Sequence, residues 1–143
     1  MKKSLLALAL VVSATLLIGV ACKPKTETAK PAGQVVKAVN VENLTATLLT
    51  SDGQVKHGDQ EITLAFNDTA GKPVDVGAVS LNFHMPGMGS MAPMNDSVTF
   101  TTTDTPGVYR GKVKIEMTGE WQAQLAYEGP AGKGKTMFPV TAR

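Results

Sequence analysis

The sequence predicts an all-β domain, an antiparallel immunoglobulin-like β-sandwich of about seven strands, with a small barrel as the other architecture. Three observations predict it. From about Asn40 onward, apolar residues recur at every second position in run after run, as in strands with one dry and one wet face. Short clusters of Gly, Pro and Asp separate those runs. No stretch of the same region carries a helical period.

The runs follow in chain order. Leu44, Ala46 and Leu48 share a face, then Ile62, Leu64 and Phe66, then Val79, Leu81 and Phe83. Val98 and Phe100 come next, followed by Tyr109, Val113 and Ile115 opposite Arg110, Lys112, Lys114 and Glu116. Trp121, Ala123, Leu125 and Tyr127 oppose Gln122, Gln124 and Glu128, and Phe138 and Val140 close the series. The punctuation lies at Ser51-Asp52-Gly53, His57-Gly58-Asp59, Asp68 to Pro73, Asp104 to Gly107, Thr118-Gly119-Glu120 and Glu128 to Gly132. These residue types supply positive φ, fixed φ and local side-chain hydrogen bonds, which is what turns require.

The first 39 residues have a different character. Met1-Lys2-Lys3 is followed by an almost continuous apolar run from Leu5 to Val20, ending in Gly19-Val20-Ala21-Cys22. Charge, apolar core and small residues in that order form a secretory signal over residues 1–21. The cysteine directly after the small residues resembles the lipobox of bacterial lipoproteins, although Gly19 stands where that pattern usually has an aliphatic residue. The expectation is a lipidated Cys22, a flexible tether over 22–39 and a folded domain over 40–143, held outside the cytoplasm by the lipid. In a Gram-negative cell, Lys23 lacks the acidic retention signal, which places the anchor on the periplasmic face of the outer membrane.

Charge narrows the partners. The chain has 14 Lys+Arg and 12 Asp+Glu, and Lys2 and Lys3 belong to the leader, so the remainder is balanced. A neutral domain without a basic cluster is not built for nucleic acid. One cysteine excludes an internal disulfide framework and any zinc site built on several thiolates. No serine, histidine and carboxylate set, phosphate-cradling glycine loop or cysteine–histidine pair marks the folded part, so an enzyme is not expected.

One connection breaks the rule of short turns. His84-Met85-Pro86-Gly87-Met88-Gly89-Ser90-Met91-Ala92-Pro93-Met94-Asn95-Asp96 is far longer than the usual hairpin loop of about two to five residues. It holds Met85, Met88, Met91 and Met94 at three-residue intervals beside one of only two histidines. Its prolines and glycines exclude a regular helix, so the spacing is not a core stripe. Thioethers are soft, uncharged donors that suit Cu(I) or Ag(I) and compete poorly for calcium or magnesium; imidazole adds a stronger donor. The expected cargo is copper as Cu(I), held by Met85, Met88, Met91 and Met94 with His84 as nitrogen donor.

Several pieces of the chain resemble the YtkA-like family. They are Phe66-Asn67-Asp68 with Gly71-Lys72-Pro73-Val74, then His84-Met85-Pro86-Gly87-Met88-Gly89, then Pro106 to Gly111, and finally Met117-Thr118-Gly119-Glu120-Trp121. The resemblance implies a small extracytoplasmic sandwich associated with copper handling, and partners in copper efflux or, as for FixH-type relatives, in oxidase assembly.

Alternation sets a constraint on the site. If the strand runs unbroken through Met85, His84 points outward with Ser80 and Asn82 while Met85 points inward with Phe83. Strand directions add Met117 and Trp121 as further candidates, because the strands ending at Met85 and Met117 then finish at one pole. His57 sits in a distant turn and reads as surface. Two functions remain: a metal-binding module for copper transfer, buffering or efflux, and a structural domain whose Met loop docks a membrane complex.

Overall fold

The computed structural model describes residues 30–143. The leader, Cys22 and the first part of the tether lie outside the described residues. Nine strands form: β1 (Gln34–Val41), β2 (Leu44–Thr50), β3 (Gly58–Asn67), β4 (Ala78–Met85), β5 (Met94–Ser97), β6 (Thr99–Thr102), β7 (Val108–Ile115), β8 (Gly119–Gly129) and β9 (Gly132–Ala142). They build two antiparallel sheets, one ordered β1-β2-β3-β7-β6 and the other β5-β4-β8-β9, so the predicted all-β sandwich is the observed fold.

Two differences account for the larger strand count. The sheet begins at Gln34, inside the segment expected to be tether, because β1 pairs along β2 from Gln34↔Thr50 to Val41↔Leu44. A bulge between Val35 and Lys37 inverts the side-chain parity, leaving Val35 exposed and Val41 buried, and so hides the strand's alternation. The run expected as one strand around Val98 and Phe100 is two, one in each sheet. Val98 is the single residue between β5 and β6, and its N–H still donates to Leu81 O at 2.9 Å. Gly111 lets this crossing happen: a β-carbon there would collide with Val98 and the Phe100 ring.

The inner faces interleave as the alternation requires. Ile62, Leu64 and Phe66 of β3, Leu81 and Phe83 of β4, Tyr109, Val113 and Ile115 of β7, and Trp121, Ala123, Leu125 and Tyr127 of β8 are all buried. Phe66 meets Tyr109 edge-on at 6.0 Å within its own sheet and Tyr127 at 5.5 Å across the sandwich. Such edge-to-face pairs add about 0.5–1.5 kcal/mol beyond their burial.

A polar latch holds the β3–β4 connection against β7. The Tyr109 hydroxyl donates to Asp75 Oδ1 at 2.9 Å and accepts the Val76 N–H at 3.2 Å, while the Gly77 N–H donates to Asp75 Oδ1 at 2.9 Å. The Gly77 N–H, then the Tyr109 hydroxyl, hold the Asp75 carboxyl below its ordinary pKa. Burial, then the hydrogen bond to Asp75, push the Tyr109 phenol above its own. Replacing Tyr109 by Phe strands the buried Val76 N–H and should lower unfolding free energy by about 1–3 kcal/mol in urea titrations at neutral pH. The lowered Asp75 pKa gives stability above the ordinary carboxylate range, lost as pH falls through the folded value; the raised phenol gives stability below about pH 10, lost as pH rises through its folded value. The difference between parent and Tyr109→Phe should therefore shrink at both extremes.

Candidate functional site: a methionine hairpin

The long connection is a hairpin, with β4 as one arm and the edge strand β5 as the other. Their register pairs Asn82↔Ser97, Phe83↔Asp96, His84↔Asn95 and Met85↔Met94. Beyond a gap the same register resumes in an isolated bridge, Met88↔Met91. Proline explains the gap: Pro86 and Pro93 have no N–H to offer a ladder. Gly87 lets the arms close there, since a β-carbon on it would lie 2.9 Å from Met91 O and 3.2 Å from Pro93 N.

The tip is a tight turn. Met91 N–H donates to Met88 O at 2.9 Å, and Gly89 has φ +57° at the first central position while Ser90 does not share the positive φ. That is the type II′ pattern, which suits the twist of a two-stranded ribbon and calls for Gly at its first central position. The three-residue methionine interval thus becomes two cross-strand pairs, Met85 with Met94 at the root and Met88 with Met91 at the tip.

The pairs differ in environment. Met85 is 6% exposed, and Met94 and Met117 are half-buried against the core, whereas Met88 is 67% and Met91 43% exposed. The root stands where β4 and β7 both end, as strand direction predicts. A β-carbon on Gly119 would be 3.3 Å from the Met85 methyl, and Glu116 N–H donates to Asp96 Oδ2 at 3.0 Å. Trp121 is in the core, 1% exposed, with its indole N–H donating to Met117 O at 3.0 Å. Its role in this geometry is packing and holding the Met117 backbone. His57 is exposed, as expected of a surface turn, but it is not remote. Gly58 pairs with Ile115 at the end of β7, and the His57 backbone N–H donates to Arg143 O at 2.9 Å, which puts it at the same pole as the hairpin root, at the start of β3.

His84 is half-buried and faces outward, while Met85 faces the core, as alternation requires. The imidazole stands in a side-chain network that the sequence did not reveal. His84 Nδ1 lies 2.8 Å from Asn95 Oδ1, which also accepts Asn82 Nδ2 at 3.2 Å; Ser97 Oγ in turn donates to Asn82 Oδ1 at 3.1 Å. The signal for it is the outward pair Asn82 and His84 on one arm and Asn95 and Ser97 on the other, which becomes visible only once the register is known. Among the described residues, no three His, Cys, Asp or Glu side chains gather as they would around a hard cation or zinc.

If Met85 anchors the hairpin in the core, Met85→Ala should cost about 2–5 kcal/mol of unfolding free energy. Met88→Ala, at the exposed tip, should stay within about 0.5 kcal/mol. Paired urea titrations read both values, and equal losses would mean the tip is packed as tightly as the root.

No curated protein is detectably similar in sequence to this chain. The model of one family, described as YtkA-like, matches residues 38–126, from β1 through the hairpin and into β8. That match spans more than half of the 143 residues and contains the whole methionine hairpin, and the chain therefore belongs to the YtkA-like family.

Proposed function

We propose that the protein is a non-enzymatic extracytoplasmic copper carrier that takes up Cu(I), or Ag(I) in its place, on the methionine hairpin. The observation that carries this reading is the pairing of Met85 with Met94 and of Met88 with Met91 on one register, two of the four thioethers being exposed at the tip. The donor set fits the cargo: neutral sulfur ligands and one imidazole favour a soft monovalent cation. Met88 and Met91 are the open donors and His84, on the outer face, supplies nitrogen. Met94 is the cross-strand partner of the inward Met85, so a set that holds both Met94 and His84 needs the hairpin to bend at Pro86-Gly87. Met85 and Met117 belong to the packed root and act chiefly as its support.

An exposed pair at the end of a hairpin is suited to exchange. A partner's ligands can replace those of the tip one at a time, without opening the core. Such a carrier fits delivery to a copper efflux system or to an assembling oxidase, and the family is consistent with a copper-associated domain. A lipid on Cys22 would hold the carrier at the membrane surface where such partners lie.

The other reading is a docking surface, favoured by the same exposure of Met88 and Met91. One experiment separates the two. Native mass spectrometry after anaerobic addition of Ag(I) should show stoichiometric uptake by the parent protein. The Met88→Leu, Met91→Leu, Met94→Leu triple variant keeps apolar bulk and should stay folded by circular dichroism, yet take up none. Binding by that variant equal to the parent's would move the site elsewhere and leave docking as the function.

The anchor has its own test. Cys22→Ser should shift the protein from the membrane fraction to the soluble fraction of fractionated cells. An unchanged membrane fraction would exclude the lipid as the tether.

A further inference from the structure

We infer that Asn95 is a positioning residue for His84, fixing the imidazole with its proton on Nδ1 so that Nε2 presents a lone pair to the metal. The inference rests on the carrier reading above and assigns a part of that site which the methionine pattern does not touch.

The geometry begins with register. His84 and Asn95 are direct cross-strand partners, and on the other side of β4 His84 faces Gln122 of β8. Their side chains share the outer face of the four-stranded sheet. Asn82 and Ser97, the next pair along the hairpin, extend the same face. The hydrogen bonds run in one direction: Ser97 Oγ–H to Asn82 Oδ1, Asn82 Nδ2–H to Asn95 Oδ1, and the His84 Nδ1–H to the same Asn95 oxygen at 2.8 Å. Ser97 Oγ can donate or accept, so the direction of the chain is part of the inference: with Asn95 presenting its carbonyl oxygen to Asn82 Nδ2, that oxygen can only accept. In that orientation the Nδ1 facing the oxygen carries the hydrogen.

The consequence is chemical. A neutral imidazole has one donor and one acceptor nitrogen, and a metal needs the acceptor. Nε2 makes no hydrogen bond among the described residues, and the residue is partly exposed on the outer face of the sheet. Histidine ligands typically donate their second ring N–H to a carbonyl or carboxylate, which fixes the tautomer and orients the ring; loss of that partner costs about 10–100-fold in metal affinity. Asn95 occupies that place. With Asn82 and Ser97 behind it, Asn95 forms a single hydrogen-bonded brace for the ring, built into the pairing of an edge strand.

Two measurements on the purified full-length protein test this. Long-range proton–nitrogen correlation spectra in mildly alkaline buffer read the ring tautomer directly, with His57→Gln separating the two histidines. The expected result for the metal-free parent is hydrogen on Nδ1 and a bare Nε2 at His84. In Asn95→Val the preference should vanish and Ag(I) affinity should fall about 10-fold or more, while Asn95→Asp, which keeps an acceptor, should restore both. Hydrogen on Nε2 in the parent, or Ag(I) affinity unchanged in Asn95→Val, would overturn the assignment. A parent protein that takes up no Ag(I) would overturn the carrier reading and this assignment together, an outcome distinct from a parent and an Asn95→Val variant that bind equally well.

Discussion

The contact between Phe66 and Tyr127 joins the two sheets at 5.5 Å, and the rest of the molecule depends on the dry layer it belongs to. Residues 30–143 contain no cysteine, so no bridge between the sheets supplements that layer. Cohesion comes from apolar side chains that alternate strictly enough to fill it: Phe66 and Leu64 from one sheet, Phe83, Trp121 and Leu125 from the other, each essentially inaccessible to water. A layer of this kind tolerates little change in volume. Connections and outer faces are free of that constraint, and the hairpin between β4 and β5 is one of these connections.

The hairpin is tied to the layer in a particular way. Only its root enters the core, through Met85, while its far arm is an edge strand of four residues, β5. That arm passes at once into the other sheet through Val98, so the hairpin is anchored in both sheets within a few residues of its base. Short edge strands also offer little backbone to a neighbouring chain, which limits association through the β5 and β6 edges. The outer face beside the hairpin carries Asn82, Asn95, Gln122 and Gln124 near its centre, whereas the opposite sheet displays the Arg110–Glu61 ion pair with Lys112 and Lys114.

Much of the fold was legible in the sequence because burial of one strand face writes a period of two. Ile62 to Phe66 and Trp121 to Tyr127 are plain examples, and the outward His84 beside an inward Met85 follows from the same rule. What failed was parity at irregular points. The bulge after Val35 conceals β1, and Val98, lying between two strands of different sheets, makes them look like one. The methionine spacing was visible, but its meaning was not. A loop and a hairpin share the same string of residues, and only the register, interrupted by Pro86 and Pro93, turns the interval of three into two facing pairs. Asn95 escaped notice for the same reason: an asparagine near a turn has many ordinary explanations.

The pinched waist at Gly87 and Pro93 separates two kinds of residue that occupy one short segment. Below it, Met85 and Phe83 answer to the core; above it, Met88, Gly89, Ser90 and Met91 are exposed and pair with each other rather than with the core. The entropy of bringing the two arms together is met when the domain folds, so the tip receives its shape without contributing to the stability that maintains it. Such a tip can be exchanged as a cassette. Its length and side chains can be rewritten while the sandwich beneath remains the same molecule.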